Sequence, residues 1–309
     1  MPSFPFDLNR LNAIYKVSIP HNYLEIMFNY PQNQRFDKPS FKKALKKSNH
    51  GSGLVPHRAS LWCGAQHMKN WALDIIFPKI CLGCSRFTAI GDFDYVCKKC
   101  FGEVSLKNTF ECVGCKRQTH LGLTCVFCKK ESELDQLLIA AELSDSVIEK
   151  MLKTYKYKFV SDMAKPLSVI AKKCIKKLLS KGFNLFEDSP VVISVPLHKN
   201  RLNWRGFNQA DLLARSVADS YHMPYGEKVL TRVVNAKHQA EAETKEERFS
   251  NVKNNFVVTN REAIKGRTVI LVDDICTTGA TLNECARVLK NPPSGGGAKR
   301  VIGFVIARG

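Results

Sequence analysis

The stretch VILVDDICTTGATLNECARVLK, residues 269–290, sets two adjacent aspartates, Asp273 and Asp274, at the end of an apolar run. Thr277, Thr278, Gly279, Ala280 and Thr281 follow, and the pattern then becomes helical. Backbone N–H groups and hydroxyls at a helix N-terminus form an anion site. Gly279 permits close backbone approach. Carboxylates beside an anion site suit a ligand that carries both a phosphate and vicinal hydroxyls: the acids accept from the hydroxyls and the loop holds the phosphate. A Walker B strand also ends in acids, but no G-x4-G-K-[ST] occurs, which disfavours a P-loop ATPase. No G-x-G-x-x-G follows a strand, which disfavours dinucleotide binding. An ordinary polar turn is the plainer reading, but it would not need strand, diacid, Thr-Thr-Gly and helix in that order.

A second chemistry is written in cysteine. Cys81, Cys84, Cys97 and Cys100 form C-x2-C-x12-C-x2-C, and Cys112, Cys115, Cys125 and Cys128 form C-x2-C-x9-C-x2-C. Two thiolates two residues apart face one ion from a tight turn, and two such knuckles complete a tetrahedron. The expectation is two structural zinc sites, with redox dithiols as the competing reading. Sequential and interleaved pairings are both open. With all four positions filled by protein, neither ion offers a vacancy for catalysis.

The elements that must position these groups alternate in type. VVISV (191–195), TVILV (268–272) and RVIGFVIA (300–307) read as buried strands. Residues 144–159, 166–180, 207–222 and 280–290 read as helices with one apolar face. Buried strands alternating with helices imply an α/β fold, a parallel sheet flanked by helices. The organisation expected is a poorly structured leader over 1–67, a cysteine-rich double zinc-ribbon module over 68–131, and a ligand-binding domain over 132–309. The leader has little periodicity, and its Cys63, His50, His57 and His67 lack ligand spacing. An ordered pattern begins at Met68, which is read as a native translation start. Residues 237–250 lack an apolar stripe and read as a mobile loop.

The formal charge is +19, with basic residues in excess in every one of these three parts. Eight thiolates and two zinc ions would lower it to about +15. That still favours polyanions, nucleic acid or phosphorylated substrates, beside the plainer role of keeping the chain in solution. In KTYKYKF (153–159), Lys153, Lys156 and Lys158 interleave with aromatics, which suits phosphate contact and base stacking. The plainer reading is an amphipathic helix with core aromatics and solvated lysines. No run of about 18 apolar residues exists and no secretory signal follows Met1, so the default address is cytoplasmic.

VILVDDICTTGAT resembles the phosphoribosyl-pyrophosphate (PRPP) loop of type I phosphoribosyltransferases. Together with VPLHKNRLNWRGFNQADLLA and the double cysteine module, it resembles the ComF family over roughly residues 75–307. The resemblance implies PRPP bound with Mg²⁺: Asp273 and Asp274 on the ribose hydroxyls, and Thr277 to Thr281 on the 5′-phosphate. Pro196, Leu197, His198 and Lys199, with Arg201, would form the pyrophosphate loop. It places Lys237, Gln239, Arg248 and Asn251 on a mobile active-site loop, one residue longer than usual, with Ala242 where leucine is common. It also implies a role in natural competence, with single-stranded DNA and the DNA-uptake machinery as partners. For His198 the plainer reading is a solvated loop histidine, and for Arg205 to Gln209 a helix start. Thr277 stands where purine-salvage enzymes carry a base-contacting aspartate, which argues against hypoxanthine or guanine as acceptor. If the protein is a catalyst, pyrophosphate would leave ribose C1 through an oxocarbenium-like state, with the diacid positioning the sugar. No base-recognition hood names an acceptor. The alternative to the DNA role is an active phosphoribosyltransferase of nucleotide metabolism.

Overall fold

Four apolar runs lie side by side in one parallel sheet, because each is long enough to pair and apolar enough to be covered on both faces. In chain order the strands are β1 (Gln136–Glu142), β2 (Val191–Ser194), β3 (Leu230–Arg232), β4 (Phe256–Val258), β5 (Thr268–Cys276) and β6 (Arg300–Arg308). β1, β6, β5 and β2 make the parallel sheet in that spatial order, and β3 and β4 pair separately as an antiparallel ribbon. The helices are α1 (Lys98–Gly102), α2 (Ser146–Tyr157), α3 (Ala164–Ser180), α4 (Lys199–Arg205), α5 (Gln209–Ser220) and α6 (Ala280–Lys290). This computed structural model describes residues 79–88, 93–157, 160–233, 252–292 and 297–309, all within one unit, Ala65–Gly309. The leader (1–67), Lys158, Lys237, Gln239, Arg248 and Asn251 lie outside the described residues.

Side chains alternate across the sheet and feed two cores. Ile270, Val272, Ile302, Phe304 and Ile306 meet Met151, Tyr155, Leu167, Leu213 and Val217 from α2, α3 and α5. Val269, Leu271, Val301 and Val305 meet Leu282, Cys285, Ala286 and Leu289 from α6. Burial on both faces is why these strands read as unbroken apolar runs.

Two features differ from the sequence expectation. β1, QLLIAAE, is a strand that the helical reading from 144 onward left unassigned. Apart from Ile139 it is built of Gln, Leu, Ala and Glu, good helix formers, and lacks the Val and Ile that mark the equally buried β2, β5 and β6. β5 continues through the diacid to Cys276, because β6 supplies partners that far: Asp273 pairs with Val305 and Cys276 with Arg308. β2 stops sooner, its last pair being Ser194 with Val272. The diacid therefore overhangs the end of β2 while still held by β6. α5, after β2, packs on one face and α6, after β5, on the other. Adjacent strands whose helices diverge leave a crevice at their carboxyl ends.

Candidate functional site

The crevice between the ends of β2 and β5 is lined by acids from one strand and cations from three elements. Alternation turns the two aspartates apart. Asp274 is 5% exposed, and its Oδ1 pairs with Lys156 Nζ of α2 at 3.0 Å. The backbone N–H of Asp274 donates to Asp273 Oδ1 at 2.8 Å. Burial, followed by the charge of Asp274, pushes the Asp273 carboxyl up to about 7, although Lys156 works the other way. Burial alone would lower the Lys156 ammonium, but the two aspartates outweigh it and hold it raised. Two arginines lie within electrostatic reach of the acids, Arg205 of Asp274 and Arg232 of Asp273. Burial lowers Arg205 against the pull of Asp274, and lowers Arg232 against that of Asp273, with Arg201 adding repulsion to both. The Nε atoms of Arg205 and Arg232 are buried and have no acceptor among the described residues. Buried donors without acceptors are costly unless a ligand supplies one, so this group fits a polyanion.

The anion loop follows β5 directly. Gly279 takes φ +84°, where a side chain is strained, and caps α6 with no side-chain acceptor of its own. The first-turn N–H groups of a helix have no intrahelical partner. Thr278 Oγ1 accepts from the Ala280 N–H at 3.3 Å, and Thr277 is exposed. The residues at hand could thus hold a diphosphate with its Mg²⁺: the acids for hydroxyls and metal, the loop for a phosphate.

Across the crevice, Pro196 and Leu197 follow β2, and His198 caps α4 by accepting from the Asn200 N–H at Nδ1, 3.2 Å. Lys199 is exposed and Arg201 half-buried on that helix. Arg205-Gly206-Phe207-Asn208-Gln209 proves to be the joint that fixes this segment. Asn208 Oδ1 caps α5 through the Ala210 N–H, and its Nδ2 donates to the Val195 carbonyl at 3.0 Å. Arg205 Nη1 donates to Gln209 Oε1 at 2.6 Å. Tyr155 Oη donates to the Gln209 carbonyl at 2.9 Å, and its ring packs on Phe207. The plain helix-start reading is correct for Asn208, and the same contacts tie α5 to the end of β2.

The eight cysteines gather sequentially, as Cys81, Cys84, Cys97, Cys100 and as Cys112, Cys115, Cys125, Cys128. Within each group the sulfurs lie within 4.8 Å of one another. Amides donate to sulfur in matching places, Cys97 N–H to Cys81 and Cys125 N–H to Cys112. The N–H groups of Arg86 and Arg117 pull Cys84 and Cys115 down to about 6. Burial, then the neighbouring sulfurs, push Cys100 and Cys128 up to about 12. Four sulfurs so close ionise together only around a cation, and four thiolates suit tetrahedral zinc. A Cβ on Gly83 or Gly114 would strike Cys100 or Cys128 Sγ at 2.7 or 2.8 Å, so those positions must be glycine.

The expected nucleic-acid surface divides. Lys156 faces the diacid; Lys153 is exposed and pairs with Glu149 at 2.7 Å. Lys150 and Lys153, with Leu82, Thr154 and Tyr157, line an open cavity of about 550 Å³ between the first cysteine knuckle and α2. The site residues that sequence reasoning missed are Arg232, and Lys156 and Arg205 in their roles at the diacid. No local pattern marks these roles.

A phosphoribosyl transferase domain model matches residues 171–306. Competence protein ComFC of Bacillus subtilis (strain 168) is 29% identical over 275 residues, covering 84% of this chain and 99% of that protein. Competence protein F of Haemophilus influenzae is 26% identical, covering 64% of this chain and 92% of its own length. DNA utilization protein YhgH of Escherichia coli (strain K12) is 27% identical, covering 69% and 91%. The chain is thus a homologue of these competence and DNA utilization proteins, with a phosphoribosyltransferase-type domain behind two four-cysteine clusters that fit a double zinc ribbon.

Proposed function

We propose that the protein binds PRPP with Mg²⁺ in the crevice between β2 and β5 and handles single-stranded DNA during competence. The observation that carries the first half is the set of Lys156, Arg205 and Arg232 within reach of Asp273 and Asp274, with buried arginine Nε donors awaiting acceptors. The 5′-phosphate lies on the N–H groups of 277–281. The diphosphate lies toward Pro196, Leu197, His198, Lys199 and Arg201, and the ribose hydroxyls on the acids. When bound, Mg²⁺ neutralises the diphosphate. The names of the relatives and the lysine-rimmed cavity beside Tyr157 support the second half.

Calorimetric titration with PRPP and Mg²⁺ tests the reading. Binding by the intact protein, lost in Asp273→Asn/Asp274→Asn, is expected; no heat with the intact protein ends it.

A further inference from the structure

The two cysteine clusters are alike in their sulfurs but dock on different parts of the domain. The first knuckle rests on α2: a Cβ at Gly83 would lie 3.3 Å from Val147 Cγ2. The second knuckle rests on the anion loop. Val113, between Cys112 and Gly114, is 2% exposed, and a Cβ placed on Gly279 would lie 2.6 Å from its Cγ2.

That contact is held by a buried arginine. Arg308, 8% exposed at the end of β6, donates from Nη1 to the Cys112 carbonyl at 2.9 Å and from Nη2 to the Val113 carbonyl at 2.5 Å. Glu111 Oε1 balances its charge at 3.0 Å. Arg308 also pairs in register with Cys276, and the Gly309 N–H donates to the Cys276 carbonyl at 2.9 Å. The knuckle backbone, the end of β6 and the last residue of β5 before the loop are therefore one connected piece. Helix N-termini bind anions only if their N–H groups converge, and here the convergence depends on a glycine turn seated on a valine.

We propose that the second cysteine knuckle is the positioning element of the 277–281 loop, with Val113 as its backstop and Arg308 as the pin that holds Val113 in place. Val113 and Arg308 touch no ligand; they act through Gly279. For its ligand this inference rests on the PRPP reading, but the shape of the loop is measurable without ligand.

Hydrogen exchange by mass spectrometry on the full-length, zinc-loaded protein gives that measurement. Val113→Ala and Arg308→Gln leave all eight cysteines in place, so zinc content stays unchanged. Amide exchange over 277–281 should quicken by about tenfold or more, the mark of a loop that opens locally. Val147→Ala, the matched loss at the first knuckle, should leave that segment unchanged. Should Arg308→Gln not fold, Arg308→Lys keeps the charge and loses the two-pronged grip. A cycle of Val113→Ala with Gly279→Ala, read as PRPP–Mg²⁺ dissociation constants, isolates the direct contact. The strain of alanine at positive φ is common to both backgrounds and cancels. Gly279→Ala should therefore weaken binding about threefold or more less in the Val113→Ala background. Unchanged exchange in the Val113 and Arg308 variants, equal quickening in Val147→Ala, or strictly multiplicative weakening would overturn the proposal. If the intact protein binds no PRPP, the ligand reading falls, and the exchange comparison alone decides the role of the knuckle.

Discussion

Lys156 Nζ stands 3.0 Å from Asp274 Oδ1, joining α2 to β5 at the crevice. The lysine side chain is 25% exposed and the aspartate 7%. Removing one partner of such a pair strands the other charge in a poorly hydrated place. Lys156→Met should lower unfolding free energy in urea by about 2 kcal/mol, and Lys156→Met/Asp274→Asn should recover much of it. No change in either variant would mean the pair is solvated.

The pH dependence of stability follows from Asp273. An unfolded aspartate titrates near 3.9, whereas burial and Asp274 push this one up to about 7. Between those values the folded chain binds more protons than the unfolded one. Its contribution to stability therefore falls as pH rises through that window, and the penalty is complete above about pH 7. Asp273→Asn removes the penalty and keeps the acceptor for the Asp274 N–H. It should raise stability at pH 8 by about 1 to 2 kcal/mol, seen as a higher melting temperature, and make little difference near pH 4. Equal melting temperatures at pH 8 would show that Asp273 is ionised without cost.

Zinc content is checked by metal analysis of protein purified without chelator. Two equivalents per chain are expected from the two four-cysteine groups. Stripping the metal should loosen both knuckles, because their own backbone is tied by isolated bridges and not by a continuous ladder. A metal-free protein that keeps its native near-ultraviolet spectrum would contradict this.

Single-stranded DNA binding should map to the cavity beside α2. Lys150→Ala/Lys153→Ala is expected to weaken binding and to flatten the salt slope by about 1 to 2. Tyr157, 67% exposed, offers a stacking face, and Tyr157→Ala should cost about 1 to 3 kcal/mol. Unaltered affinity and slope would move the surface elsewhere.

How much of this was legible in the sequence varied with the physics of each part. β5, α6 and the loop between them carried three local signals in series, an apolar run, the diacid and Thr-Thr-Gly, and none depends on distant residues. The clusters were legible because C-x-x-C spacing is itself the ligand geometry. β1 was not, since QLLIAAE is built mostly of helix formers, whereas the equally buried β5 and β6 are rich in Val and Ile. The direction of Lys156 was not, because only tertiary packing turns it to the diacid, while Lys153 on the same helix stays exposed. Arg232 sits in a three-residue strand, and only the folded chain brings it to Asp273. Arg308 lies 195 residues from Val113, beyond the reach of any local pattern.

The most direct test of the central claim is a crystal of the protein soaked with PRPP and Mg²⁺. The account predicts sugar-phosphate density between the ends of β2 and β5, with the ribose at Asp273 and Asp274 and its phosphate on the amides of 277–281. Clear density elsewhere, or a crevice still closed by Lys156, Arg205 and Arg232 at saturating ligand, would contradict it.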